Sequence, residues 1–520
     1  MTTDSHDAQT YFNQGLTLAY AFNHDEAIRS FRQATAFDPE CAMAWWGIAL
    51  CNGPHINNPV VSEQSARDAW EAVQKAMALR SRVTPVERAL IEAVAHRYSA
   101  DPAAPRRPMD EAYASAMRRV WQQFPHDGDV GTLFAESMMD LRPWDLWQKP
   151  AADQPVGTLP TAQPGTEEIV ATLDRVLEIA PRNPGANHLY IHTMEASPTP
   201  QRAVAAADRL RTLVPGAGHL VHMPGHIDIR VGQWEQAAVA NEQAIRADKA
   251  YRKVSPKQGF YRVYMAHNHH FLAFTAMMEG RHEAALAAAR EMVGGVPAAS
   301  IDEAAPMVDP VMSIIYDVHK RFGRWDDLLA EPAPHEKLVI TTAMWRFNRA
   351  VAYAAKGDVA AAKKEQGLFE AAVKAVPENA MMAINPAHTV LDIADHMLKG
   401  EVALAEHDTE TAVRELRAAV AIEDGLLYME PPDWIQPVRH ALGAVLIDAG
   451  KHAEAEQVYR DDLFFWPENG WSLKGLRDAL RAQGKADAAL DARVARAWRR
   501  ADITASTSCL CVREREVSSR

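Results

Sequence analysis

The chain has 520 residues, with 48% hydrophobic and 24% charged side chains and a formal net charge of -13. That length suits several domains or one long array of repeats rather than a single compact core. The acidic balance argues against general nucleic-acid binding, and no apolar run approaches the roughly 18 residues of a membrane span. The start, MTTDSHDAQTYFNQG, is polar and acidic and lacks a signal-peptide pattern. A cytoplasmic protein is expected. The four cysteines, Cys41, Cys51, Cys509 and Cys511, imply no disulfide framework. Alanine is abundant and β-branched alternation is nearly absent, which favours helix.

In chain order, residues 1–142 read as an N-terminal helical region. Within 11–39, Gly15 lets two helices approach, Ala27 is the small residue at their crossing, Phe31 fills the core and Pro39 ends the second helix. These landmarks resemble a tetratricopeptide unit. The break NGPHINNP follows and holds His55; further helices are predicted over 65–100, 110–124 and 128–141. Residues 143–166 are rich in Pro, Gly and Trp and read as a lid or side wall, with Trp144 and Trp147 packing on neighbouring elements. Residues 167–294 form a central block of histidine-bearing repeats. Residues 295–437 read as degenerate repeats, with irregular insertions at 295–312 and 425–437. Residues 438–500 return to regular repeats, because Gly443, Ala455, Tyr459 and Pro467 reproduce the spacing of Gly15, Ala27, Phe31 and Pro39. Residues 501–520 read as a disordered tail. The fold class is therefore all-α: a right-handed superhelical solenoid of antiparallel helix pairs, stabilised between neighbours.

The central block carries the chemistry. His188 and His192 stand four apart, and His222 and His226 repeat that pair 34 residues later. Histidines at i and i+4 share a helix face. His267 and His270 add a third helix, and Glu195 lies within two turns of His188. Imidazole suits zinc, copper, iron and nickel, and a carboxylate admits harder ions. Seven candidates, His188, His192, Glu195, His222, His226, His267 and His270, are too many for one tetrahedral ion with an open position; they suit two ions, or one ion plus acid–base histidines. Pro224 and Gly225 between two of them predict a kink that opens a coordination position. The competing readings are a structural hydrogen-bond network and a surface that binds an anionic peptide.

Glu136, Tyr190, Arg230, His388 and Glu430 are the candidate acid–base, proton-donating or substrate-holding groups. Packing is the default for Tyr190.

The segments NHLYIHTMEAS (187–197), HLVHMPGHIDIRVG (219–232), HNHHFLAF (267–274) and MEPPDWIQPVRHALG (429–443) resemble bacterial tetratricopeptide repeat proteins with degenerate central repeats. The resemblance covers most of 1–500 and carries over no catalytic role. Numbering each unit so that Ala203, Ala237 and Ala285 take position 20 puts His188, His222 and His270 at position 5. His192 and His226 then fall at position 9, His267 at 2 and Glu195 at 12. In such repeats these positions line the concave groove, so the resemblance implies that the candidates converge there.

The expectation is a metal-dependent enzyme with a histidine-rich, dinuclear site in that groove. Copper or iron is favoured, with zinc as a further option. Few carboxylates disfavour the usual di-iron pattern, and the reading leans to an oxidoreductase acting on a small organic substrate. The alternatives are a protein-interaction scaffold that binds a peptide or protein partner in the groove, and a metal-dependent hydrolase. Neither nucleic acid nor membrane is an expected partner.

Overall fold

The computed structural model describes residues 1–297, 299 and 301–511. Among these residues the protein is all-α, with two short two-stranded hairpins as the exceptions: Trp147–Gln148 with Thr161–Ala162, and Met381–Met382 with Asn385–Pro386. Successive helices pair antiparallel in the tetratricopeptide manner predicted from the sequence. No helix among the described residues is long and apolar enough to cross a membrane.

Two compact units make up the chain. The first comprises Met1–Gln148, Pro160–Ile227 and Glu242–Met265; the second comprises Lys149–Leu159, Asp228–Asn241 and Ala266–Arg520. These units cut across the linear segments read from the sequence.

In the first unit, the helices His6–Tyr20 and His24–Phe37 form the opening pair. Ser5 caps the first by accepting from the Ala8 amide, and Asn23 caps the second by accepting from the Glu26 amide. The Phe31 ring is fully buried. A Cβ at Gly15 would stand 2.7 Å from it and one at Gly47 2.6 Å, so the bare backbones of two helices clamp its faces. The pair stacks onward through Ala42–Cys51, Glu63–Leu79 and Pro85–Val94, the last opened by a Thr84/Glu87 capping box.

The second unit repeats the device. Gly443 and Gly475 lie against opposite sides of the buried Tyr459 ring, in the helices Val438–Asp448, His452–Phe465 and Gly470–Ala482. Its core runs from Ile340 through the helices Val339–Lys356, Val359–Val373, Ala387–Ala405 and Thr409–Gly425 to Val494.

Two sequence expectations need correction. Within the supposedly irregular 295–312, Ile301–Val308 is helical, with Asp302 and Glu303 in its first turn and Ile301 and Ala305 buried on one face. Residues 501–511 of the expected disordered tail are packed. Ser508 donates to the His440 carbonyl at 2.8 Å, and its hydroxyl meets the Tyr459 hydroxyl at 2.6 Å. Cys509 and Cys511 form a disulfide, and Cys511 is buried. The rest of that tail, 512–520, lies outside the described residues.

Candidate metal centre

The site of interest lies in the first unit. It is built on the helix Pro184–Met194 and the short helix Gly218–His222, with the turn between the two opening helices closing one side. Asn183 caps the first of these helices and Pro184 opens it, which sets His188 and His192 on consecutive turns. The chain breaks after His222, and Pro224 starts a new helix over Pro224–Arg230. The kink expected at Pro224 is present.

His188, His192, His219, His222 and His226 are all buried, as is Glu195. The Nε2 atoms of His188 and His219 are 3.1 Å apart, and those of His222 and His226 are 3.0 Å apart. Ligand atoms of His188, His192 and His219 all lie within 4.8 Å of one another. Two imidazoles bound to one tetrahedral ion at about 2.0–2.1 Å would place their nitrogens roughly 3.3 Å apart.

The other ring nitrogens fix the tautomers. His188 Nδ1 lies 2.7 Å from the Tyr20 carbonyl, which can only accept, so Nδ1 carries the proton and Nε2 keeps its lone pair. His192 Nδ1 donates to Glu195 Oε1 at 3.0 Å, and His226 Nδ1 stands 3.0 Å from Glu195 Oε2. One carboxylate thus meets the Nδ1 atoms of two rings. Burial alone would raise the Glu195 carboxyl, but His226 and His192 outweigh it and hold it well below the usual carboxylate range. Burial also lowers the His188 pKa well below the ordinary value, and His192 adds to the effect. His192 Nε2 is buried and has no hydrogen-bond partner. Imidazoles whose Nδ1–H groups are tied to a carbonyl and a carboxylate match the outer shell of metal-binding histidines.

Phe22 packs against this cluster. Its backbone takes φ 53°, uncommon for a bulky residue. Its ring centroid stands 4.5 Å from that of His188, 5.8 Å from His219 and 4.3 Å from His55, on which it stacks. Phe22 and His55 also line a cleft together with His24, Asn52, Asn58 and Phe260. Burial lowers the pKa of His24 to about 4, with Arg97 adding to the shift, and lowers that of His55 well below its usual value. Trp144 packs its ring edge on His192 at 5.6 Å, and Trp147 donates to the Thr193 carbonyl at 2.6 Å.

The structure distributes the sequence candidates unevenly. His188, His192, Glu195, His222 and His226 come together in the first unit. Glu195 accepts from His192 through Oε1 and pairs with His226 through Oε2. Within the second unit His267 packs edge-on against Phe271 at 5.8 Å, and His270 lines a cleft. Glu136 lies in the first unit, its carboxyl raised to about 7 by burial, with Arg97 opposing. Tyr190 donates to Asp174 at 2.7 Å, the packing default. In the second unit Arg230 stacks on Tyr428 at 5.3 Å, Tyr428 donates to Glu430, and His388 Nε2 donates to the Val376 carbonyl at 3.2 Å.

His219 and His24 were missed. His219 stands three residues before His222, one helical turn away, in a helix of five residues. Aligning whole repeats on their crossing alanines hides it, because the Pro224 break resets the register between His222 and His226.

Residues 8–41 match the tetratricopeptide repeat family model. No curated protein matches the chain. Among solved structures, the APC/C hetero-tetramer Cut9–Hcn1 is 12% identical over 91% of this chain and 76% of its own, with a TM-score of 0.31. The human IFIT1 dimer with m7Gppp-AAAA is 11% identical over 96% of each chain, with a TM-score of 0.34. Yeast Tom70 is 10% identical over 94% of this chain and 92% of its own, with a TM-score of 0.29. At these scores the likenesses bear on no functional assignment.

Proposed function

We propose that the first unit holds a transition-metal centre within a tetratricopeptide-type scaffold, and that the centre acts on a small organic substrate. The observation that carries this reading is the convergence of the His188, His192 and His219 ligand atoms within 4.8 Å, inside the protein. His222 and His226 supply a second pair of nitrogens, which suits a dinuclear arrangement. Imidazole donors favour copper, iron or zinc. A redox-active ion would supply electron exchange with the substrate, whereas zinc would activate water for hydrolysis; this reading leans to the former.

This chain's own residues would then do the following. Tyr20 and Glu195 hold the rings in the tautomer that presents Nε2. Burial of the cluster limits water around it. The cleft at Phe22 and His55 gives a small molecule an approach, and His24 and His55 stay neutral there. Glu136, with its carboxyl raised to about 7, would exchange a proton at neutral pH in this reading.

A second reading is a protein-interaction scaffold, favoured by the tetratricopeptide match at residues 8–41. The comparisons speak for it more directly than for catalysis. In that reading the histidines form a structural network and a peptide or protein partner docks on other surfaces. Elemental analysis of untagged protein separates the two. Near-stoichiometric metal, lost in the His192→Ala/His226→Ala variant, supports the metal centre. Wild-type protein that is folded, metal-free and resistant to loading with copper, iron or zinc overturns it.

A further inference from the structure

The second unit contains a cleft that the metal centre does not use. Its walls come from the segment around Pro310 and Val311, the helix Ile314–Arg321, Met344, Met382 and the loop 432–436. They are mostly apolar, and Lys320 stands among them. The Lys320 side chain is 5% exposed. Its Nζ lies 4.6 Å from the ring centroid of Phe347 and 5.2 Å from that of Trp434. Asp317 Oδ1 stands 3.9 Å from Nζ, longer than a hydrogen bond. The Asp317 oxygens meanwhile accept from Ser313 Oγ at 2.8 Å and Asn348 Nδ2 at 3.1 Å.

Trp434 supplies a second, independent observation. It is 2% exposed, and its indole Nε1–H has no hydrogen-bond partner. A buried indole N–H nearly always finds an acceptor. Indole nitrogen only donates, so what it lacks is an oxygen or similar acceptor.

We propose that this cleft binds a small neutral carbonyl compound, an aldehyde or ketone with short aliphatic substituents, and that Lys320 condenses with it to form an imine. The apolar walls take the alkyl groups, and the Trp434 N–H faces an acceptor such as the carbonyl oxygen. Asp317 already balances the lysine, so an incoming carboxylate would meet like charge. A neutral ligand meets none.

The reaction balances without an oxidant. The Nζ lone pair attacks the carbonyl carbon and forms the C–N bond, while the C=O π pair moves to oxygen. That oxygen takes a proton from an acidic group. The amine's two protons go one back to that acid and one to the oxygen as C=N forms, and the oxygen leaves as water. Asp433 lines the cleft and is suited to the acid role: burial raises its carboxyl to about 7, against the hydrogen bond it accepts from Asn385. Burial also lowers Lys320 to about 8, against Asp317 and Glu401, so a substantial fraction is the free amine near neutral pH. A desolvated lysine in an apolar pocket is a recognised way to make an amine nucleophile.

The test uses the full chain, butanone and sodium cyanoborohydride at pH 7.5, with peptide mass mapping of the alkylated lysines. Lys320 is expected to carry the reduced adduct at lower ketone concentration than any other lysine. Lys320→Arg should abolish the label on that peptide alone. Trp434→Phe, checked for unchanged circular dichroism, should slow labelling of Lys320 about fivefold to tenfold, the worth of one hydrogen bond. Lys320 left unmodified while exposed lysines react overturns the proposal, as does labelling at the surface rate. The experiment is run on chelator-treated protein as well, so its outcome is independent of the metal centre.

Discussion

The Nε2 atoms of His188 and His219 face each other at 3.1 Å across 31 residues of chain. Because His188 gives its Nδ1 proton to the Tyr20 carbonyl, its Nε2 presents a lone pair to its partner. Either the His219 ring fills the gap with a proton or a cation fills it. If a cation does, His219→Ala should cost more than the roughly 10–100-fold in metal affinity typical of an outer-shell change. Competition titration of the chelator-stripped protein with copper, iron and zinc measures it. Affinity unchanged from wild type would remove His219 from the centre.

Glu195→Gln tests the outer shell. A carboxylate accepts from both His192 and His226, whereas an amide offers one oxygen and one NH2 group. The NH2 group forces the ring it faces into the other tautomer, which puts a proton on Nε2. Metal affinity should fall by about 10–100-fold with the fold retained. Circular dichroism and the same titration give both readings, and wild-type affinity in the variant would show that Glu195 orients nothing.

These two residues show how much of the site could be read from the chain. The recurrence of His188/His192 as His222/His226 pointed to the right helices, because repeat spacing carries helix faces with it. Its limit was Pro224, which ends one short helix and starts another, so that His219 takes the place beside His188 that spacing gave to His222. The fold was more legible. Gly15 and Phe31, matched by Gly443 and Tyr459, are steric requirements visible as residue types. The tail at 501–511 was not legible, because its order comes from tertiary contacts such as Ser508 with His440 rather than from its own composition.

Glu401 predicts a pH dependence. Burial raises its carboxyl from 4.5 to about 7, with Lys320 opposing. The folded state therefore holds a proton that the unfolded chain releases between those values. Its contribution to stability is greatest at low pH and is lost as pH rises toward and through 7. Glu401→Gln does not titrate, so the melting temperature of the variant should rise relative to wild type between pH 5 and pH 8. Parallel melting curves across that range would refute the assignment. Glu401 lies in the second unit, so metal stripped from the first should leave the comparison intact.

The clamp on Phe31 gives a prediction about coupling. Phe31→Ala empties a fully buried ring site and should cost about 3–5 kcal/mol. Gly47→Ala keeps the ring but places a methyl 2.6 Å from it, so overpacking should cost about 1–3 kcal/mol. The two losses should not add. With the ring removed, the new methyl at position 47 enters the space the ring left and recovers part of the lost burial. The double variant should therefore be more stable than the sum of the single changes by roughly 0.5–3 kcal/mol, the usual range for residues in contact. Urea unfolding of the four proteins, followed at an N-terminal probe, closes the cycle. Additive losses would mean that the backbone at position 47 yields to the methyl, and that close approach at this glycine is not what sets the helix pair.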